Sequence, residues 1–490
     1  MPQWLKIAIC VVVPLLIWLL PASAIPLQTL TVVEHRVIVI FIAAVLFWIL
    51  EPIPIFATSM LVIGLLVAMI SDGGPNFLRG DGSEAFGATM RARDIMAYMA
   101  DPTVILFLGG FFLAIAATKY RLDTNLARVL LRPFGNRPGT VILGMMLVTA
   151  VFSMFMSNTA TTAMMLAVLA PVAASMDLTD RGRIAMVLSV PVAANIGGMG
   201  TPIGTPPNAV AMATLRRMEE EQTALVEAGE LAEVTLREPS FAQWMMYGVP
   251  LVVVLMLLAW LLLLFLFKPQ TERLKLEFEG RWMKTPQAWV VYITGIVTIG
   301  LWLVGQPLLG LSASVVGLLP VVVFCVTGVM TAKDVRSLSW DVLWLIAGGF
   351  ALGGAMATTG LSDNIVASIP FGAFAPLLLI IIAAGVTTLM ATFMSNTATA
   401  NLLIPLMAAM GVGLGDTLGI VGGAMGLVLV VAFASSLGMA LPISTPPNAM
   451  AHATGMIQSS HMAKNGLIIG IIGLVIMIAY MILITMLGVL

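Results

Sequence analysis

The sequence predicts an all-α polytopic membrane protein built from two copies of one unit inserted in opposite directions. Three observations predict it. The chain of 490 residues is 60% hydrophobic and 10% charged, where a soluble domain carries roughly 25% charged residues. The six residues Met156-Ser157-Asn158-Thr159-Ala160-Thr161 recur letter for letter at Met394 to Thr399, and Thr205-Pro206-Pro207-Asn208-Ala209 recurs at Thr445 to Ala449. Both copies place small polar residues and prolines inside long apolar runs, the pattern that marks a polar solute's place in a membrane protein.

A spanning helix needs roughly 20 apolar residues. Residues 5–24 form the first such run. Lys6 ahead of it and Ala22-Ser23-Ala24 behind it would also fit a cleaved signal peptide, but the run is long for one and is read as a retained first helix. Further spans are predicted at 37–50, 55–70, 104–117, 184–215, 244–267, 289–304, 313–330, 340–356, 420–457 and 466–487, which makes eleven. Two more apolar segments, 141–176 and 376–410, are interrupted near the middle by Ser-Asn-Thr. Each is a re-entrant hairpin or a pair of full spans. Arms of about 17 residues do not decide between them at a rise of roughly 1.5 Å per residue. In either case the chain returns to the side it came from.

That parity sets the topology. With 1–34 as a separate N-terminal helix, 35–286 and 287–490 each hold five crossings and one hairpin-like segment, so the second unit enters from the opposite face. Charge tests the orientation. With the N-terminus inside, sixteen Lys and Arg fall inside: Lys6, five from Lys119 to Arg137, Arg181, Arg183, five from Lys268 to Lys284, Lys333, Arg336 and Lys464. Seven fall outside: Arg36, Arg79, Arg91, Arg93, Arg216, Arg217 and Arg237. The excess predicts a cytoplasmic N-terminus and an external C-terminus. Seven glutamates between Glu219 and Glu238 read as a solvated external loop.

The runs 184–215 and 420–457 are too long for one straight span, and each has Gly and Pro at its centre. Pro202, Pro206 and Pro207 lie within six residues, and Pro442, Pro446 and Pro447 match them. Proline removes a backbone donor and clashes with the preceding turn. Two broken helices are therefore predicted, with breaks meeting near the membrane midplane, since irregular backbone at depth must be buried in protein or line a cavity. Between Gly198–Thr214 and Gly438–Thr454, twelve of seventeen positions are identical. Gly109-Gly110-Phe111 is echoed by Gly348-Gly349-Phe350, read as close helix packing, and Leu122-Asp123-Thr124-Asn125 more loosely by Leu361-Ser362-Asp363-Asn364.

Several functions are excluded or made remote. A net charge of −1 suggests no nucleic-acid partner, and no phosphate-binding loop is present for ATP-driven work. Cys10 and Cys325 lie in apolar runs and read as small buried hydrophobes. His35, His452 and His461 form no ligand spacing. No nucleophile–base pair is visible at depth, so an embedded enzyme is disfavoured. Glu51, Asp101 and Asp341 fall at span ends and read as interfacial. The repeated motifs themselves hold no Lys, Arg, Asp or Glu. A bound ion would therefore meet hydroxyls, amides, carbonyls and helix ends. Free N–H groups at helix N-termini favour anions, and unwound carbonyls favour small cations. A bare dianion in such a site carries a desolvation cost of several kcal/mol or more, which bound cations would offset.

These paired motifs, with Glu51-Pro52-Ile53-Pro54, resemble the divalent anion/sodium symporter family over nearly the whole chain. The resemblance implies a secondary carrier of a C4-dicarboxylate such as succinate or malate, coupled to Na+. Sulfate or citrate carriage and sodium-independent exchange are the family's alternatives. It implies a homodimer in a bacterial inner membrane, with scaffold and transport parts interleaved in both repeats and an elevator-like movement. It places both Ser-Asn-Thr motifs at tips of re-entrant hairpins. A first Na+ would meet Ser153, Ser157, Asn158 and Gly204, and a second Ala391, Ser395, Asn396, Ser444 and Pro446. The anion would meet Asn158, Thr159, Thr205, Ser395, Asn396, Thr397, Thr445 and Pro446. No other cofactor is implied. Ala391 departs from the pattern, since it stands where Ser153 stands in the first copy and where a threonine is common in the family.

Overall fold

The computed structural model describes residues 1–27, 30–80, 83–174, 176–177, 179–274, 282–368 and 374–490, apart from the side chains of residues 170, 171, 174 and 416. Helix α1 (Gln3–Leu19) lies along α2. The first half then runs α2 (Val32–Leu50), α3 (Ile55–Ile70), α4 (Ala92–Ala97), α5 (Pro102–Lys119), α6 (Leu122–Leu131), α7 (Pro138–Phe155), α8 (Asn158–Ala174), α9 (Gly182–Gly197), α10 (Pro206–Glu227) and α11 (Phe241–Leu266). The second half repeats that order with α12 (Pro286–Leu309), α13 (Ala313–Val326), α14 (Ala332–Arg336), α15 (Trp340–Thr358), α16 (Leu361–Ser368), α17 (Pro376–Phe393), α18 (Asn396–Leu414), α19 (Gly423–Ser436), α20 (Pro446–Ala453) and α21 (Ser459–Met486). Among the described residues the only β feature is an isolated bridge, Ser71 to Met90.

The halves exchange contacts reciprocally. Helix α5 packs on α13 while α15 packs on α3, and α10 packs along α18 while α20 packs along α8. Small residues allow the first exchange. A Cβ on Gly109 would come 2.1 Å from the Gly317 carbonyl oxygen, and one on Gly348 would come 2.7 Å from Ser59 Cα. The paired Gly-Gly-Phe segments are thus the close-packing sites expected of them.

Among the described residues, ten helical stretches are long and apolar enough to cross a membrane, against eleven expected spans. The numbers count different things. Three of the ten (α7, α17 and α18) are hairpin arms, and α1, α3, α13 and α19 are apolar but shorter than 18 residues. The hairpin tips and the helix breaks line the same cavity, so the arms turn back inside the protein and are re-entrant.

Ionic and aromatic contacts sort the basic residues onto two faces. Lys119 Nζ pairs with Asp334 Oδ2 at 2.7 Å and also donates to Val329 O at 2.8 Å. Leu274 N reaches Asn136 O. The Arg181 guanidinium lies over Phe267, whose ring meets His461 edge-on. These contacts gather the segments around residues 119–137, 181, 267–274, 334 and 461. On the other face, Arg216 Nη2 lies 2.5 Å from Asp101 Oδ2, Arg217 lies over Tyr98, and Asn364 Nδ2 donates to Glu34 Oε1. Lys275 and Arg281, counted in the charge argument, lie outside the described residues.

Four expectations are corrected. The glutamate-rich stretch is not all loop. Helix α10 runs on to Glu227, because Arg, Met, Glu, Gln, Ala and Leu are strong helix formers, and only the stretch after it is irregular. The second broken helix does not start at 420, since residues up to Val421 form a 3-10 turn and Gly422 and Gly423 adopt φ of 86° and 70°. Cys325 is exposed on the outer surface of α13, and only Cys10 is buried. Asp341 lies in the first turn of α15 but lines the central cavity.

Candidate solute-binding site

Each hairpin turns because a serine ends one arm and begins the next. Met156 and Met394 are extended, with φ of −129° and −130°. Ser157 Oγ then accepts from Ala160 N at 3.2 Å, and Ser395 Oγ from Ala398 N at 3.1 Å. This is N-capping by serine. It leaves Asn158 and Asn396 as first residues of α8 and α18, with their amides at the open end.

The broken helices restart in the same manner. Thr205 and Thr445 are N-caps, with φ of −150° and −145°, and Pro206 and Pro446 follow as first helical residues. Proline suits that position because its missing N–H would have no partner there. Before each restart the backbone is held open by the motif's own asparagine. Asn208 Nδ2 donates to Gly198 O at 2.9 Å and Thr201 O at 2.7 Å. Asn448 Nδ2 donates to Met439 O at 2.7 Å and Leu441 O at 2.9 Å. Each break is also tied to its hairpin arm at matching carbonyls. The Thr201 hydroxyl donates to Met154 O, and the Ser444 hydroxyl to Thr392 O at 2.6 Å.

The four helix starts meet at one cavity of about 440 Å³. One wall is polar: Ser157, Asn158, Thr159, Gly204, Thr205, Ser395, Asn396, Thr397, Ser444, Thr445 and Pro446, with Asn195 of α9. The facing wall comes from α3, α5 and α15 and includes Pro54, Ile55, Phe56, Phe107, Phe111, Asp341 and Leu345. Among the described residues, Asp341 is the one charged residue in the lining. Four helix N-termini, each equivalent to roughly half a positive charge, therefore replace lysine and arginine as the attraction for an anion.

The structure brings together all of the expected solute and ion residues except Ser153 and Ala391, which are fully buried behind the tips. Ser153 Oγ lies 2.8 Å from Ala194 O. The Asn158 carboxamide presents one terminal atom to Ser153 Oγ at 2.5 Å, Gly204 O at 3.1 Å and Ala194 O at 3.2 Å. With its NH2 turned that way it donates to these oxygens. With Oδ1 turned that way four oxygens converge, and a cation would reconcile them. Gly204 is required by the closeness of the break, since a Cβ there would come 2.3 Å from Gly198 O. In the second half Ala391 faces Gly438, where an added Cβ would come within 2.5 Å of the Ala391 methyl. Asn396 Oδ1 is buried without a partner among the described residues.

Sequence reading missed Asn195, Asn208 and Asn448 as individual residues. The last two were in view, because they close both copies of the Thr-Pro-Pro-Asn-Ala repeat. Asn195 lies outside the repeated letters, and its only signal was an asparagine in an apolar helix just before a glycine-rich break.

An all-helical membrane protein with duplicated hairpins, broken helices and one shared polar cavity is a secondary-transporter architecture, not an enzyme. Residues 45–425 match the model of the citrate transporter family, and the chain belongs to that family. It is 29% identical over 451 residues to an uncharacterized transporter of Haemophilus influenzae, covering 88% of this chain and 87% of that one. It is 28% identical over 468 residues to the sodium-dependent dicarboxylate transporter SdcS of Staphylococcus saprophyticus, covering 88% and 82%. The family expectation drawn from the motifs is met. Among solved structures, the YdaH transporter of Alcanivorax borkumensis aligns with a TM-score of 0.56 at 13% identity, over 81% of this chain and 87% of that one. MtrF of Neisseria gonorrhoeae aligns at 0.50 and 15% identity, over 87% and 94%. These two likenesses concern the fold alone.

Proposed function

We propose that the protein is a sodium-coupled secondary carrier of a C4-dicarboxylate such as succinate or malate in a bacterial plasma membrane. One observation carries this reading: both copies of an uncharged polar motif set converge on a single cavity with no lysine or arginine in its lining. A dianion there meets four helix N-termini and the side chains of Asn158, Thr159, Thr205, Asn396, Thr397 and Thr445. At roughly half a charge each, the four helix ends at most match the dianion's two charges, and Asp341 adds a negative charge that they leave uncompensated. Co-bound cations supply the balance, and the oxygens around Asn158 suit one of them. Ser153, Ser157, Asn158 and Gly204 then hold the first Na+, and Ala391 through its carbonyl, Ser395, Asn396, Ser444 and Pro446 the second. The name of the staphylococcal relatives, a sodium-dependent dicarboxylate transporter, supports both substrate and ion.

In the same reading, 1–34 precedes two inverted repeats, 35–286 and 287–490. The first three spans of each repeat form a scaffold, and the hairpins and broken helices form a transport part that slides past it in a homodimer. The cavity between the two walls supports this division. The face bearing Lys119, Arg181 and Lys333 is cytoplasmic by its positive charge, which puts the N-terminus inside and the C-terminus outside.

Citrate is a second reading, because the matching family model is named for it. Uptake of labelled succinate into proteoliposomes, with and without an inward sodium gradient and against malate, citrate and sulfate as competitors, separates these readings. Gradient-driven succinate uptake is expected. Equal uptake without sodium would mean exchange, and no uptake of any of these anions would reject the substrate class.

A further inference from the structure

Asn195 crosses from the first half into the binding motif of the second. It is 1% exposed. Its Nδ2 lies 3.2 Å from Thr445 Oγ1 and 3.3 Å from Asn448 Oδ1. The amide orientation is fixed by its neighbour. Asn448 spends its own NH2 on the carbonyls of Met439 and Leu441, so it can present only oxygen to Asn195, and Asn195 must answer with NH2. Thr445 Oγ1 also receives the backbone N–H of Asn448 at 3.3 Å. A hydroxyl oxygen has two acceptor lone pairs and one proton. Two N–H donors fill both lone pairs, so the proton has to point elsewhere. Among the described residues no protein group accepts it, and Thr445 and Asn195 both line the cavity.

The first half lacks this arrangement. Thr205, the counterpart of Thr445, makes no cap hydrogen bond with its side chain. The residue matching Asn195 is Ser435, whose Oγ donates to Ala432 O within its own helix at 2.7 Å. Among the described residues no hydrogen bond holds the Thr205 hydroxyl, while that of Thr445 is held.

We infer that Asn195 is a positioning residue that fixes the Thr445 hydroxyl as an obligate hydrogen-bond donor to one carboxylate of the transported anion. A donor that need not reorient makes a charge-assisted bond to a carboxylate oxygen without first breaking another bond. One end of the cavity therefore grips an ionised carboxylate rigidly, and the end at Thr205 adapts. The inference rests on the proposed reading that Thr445 touches the anion.

A double-mutant cycle tests it, using Asn195→Ala, Thr445→Val and both together, with succinate KM and Vmax in proteoliposomes. Sodium-induced thermal stabilisation of the purified protein is measured beside them. The expected result is a KM about tenfold higher in Asn195→Ala, as for one lost hydrogen bond to a charged group. Vmax changes little and the sodium shift is retained. The double variant is no worse than Thr445→Val alone. Additive effects on KM, or a fall in Vmax and in the sodium shift with KM unchanged, would show a merely structural asparagine and overturn the inference. A wild-type KM in Thr445→Val would instead remove the underlying reading. Asn195→Ser, which carries the residue found at position 435, is the second variant should alanine not fold, and it is expected to raise KM to the same extent.

Discussion

The two halves build the same corner of the cavity with one hydroxyl moved. In the first, Ser153 on the hairpin arm supplies the hydroxyl and Gly204 in the break supplies only backbone. In the second, Ala391 is on the arm and Ser444 is in the break. Ser444 Oγ accepts from Leu441 N at 3.1 Å and donates to Thr392 O at 2.6 Å, so it braces the loop. Ser153 Oγ instead lies beside the Asn158 carboxamide. Duplication has kept the backbone plan, with serine-capped tips and proline-started helices, while the side chains have diverged. In the proposed reading, the shared plan makes the anion's attraction symmetric, and the moved hydroxyl makes the two cation corners unequal.

The largest effects should come from what the halves share. Asn158→Ala and Asn396→Ala each remove a cavity-lining amide that the proposed function places against both solute and ion. Each is expected to lower uptake roughly 100-fold or more, since about 3 kcal/mol is lost with one charge-assisted group. Size-exclusion profiles should stay those of the folded protein. Wild-type uptake in either variant would contradict the site.

Next comes the difference between the halves. Ser153→Ala should raise the sodium concentration for half-maximal uptake about tenfold, as one hydrogen-bonding oxygen is lost. Ala391→Ser should change it by less than about threefold, because in the proposed reading the second corner takes the carbonyl there. Equal responses would make the corners equivalent. Ser444→Ala is expected to act mainly on the fold, lowering stability by about 1 kcal/mol for its braced hydroxyl, read as a lower thermal midpoint with a smaller change in sodium dependence.

How far the sequence announced this depended on whether a feature was repeated. Ser157, Asn158, Thr205 and their copies were legible because identical letters recur where proline and serine dictate helix ends. The short α4 and α14 were not, since five or six residues show no periodicity, although Ala92-Arg93-Asp94-Ile95 and Ala332-Lys333-Asp334-Val335 match in hindsight. The extension of α10 was hidden because glutamates suit a loop and a helix surface equally well. Asn195 was hidden because its role lies in a contact across halves, which no local pattern encodes.

The smallest effect compares the two faces. Burial raises the Glu238 carboxyl to about 7 against the pull of Arg216, with Asp101, Glu219 and Glu220 adding to the rise. The folded protein therefore holds that proton more tightly than the unfolded chain. The resulting stabilisation is complete below the ordinary value of 4.5 and is lost as pH rises through 7. At Asp334 burial also acts upward, but Lys119 and Thr331 outweigh it and bring the carboxyl to about 2. Its contribution is present above the ordinary 3.8 and is lost only as pH falls through 2. The thermal midpoint should thus decline slightly from pH 5 to 8. Glu238→Gln should flatten that decline, and Asp334→Asn should leave its slope unchanged.

The most direct test of two unequal cation corners around one anion is the sodium dependence of initial succinate uptake in wild type and Ser153→Ala. The account predicts a sigmoidal wild-type curve with a Hill coefficient above about 1, as expected when more than one ion acts together, falling toward about 1 in the variant. A hyperbolic wild-type curve that Ser153→Ala leaves unmoved, or uptake that ignores sodium, would contradict it.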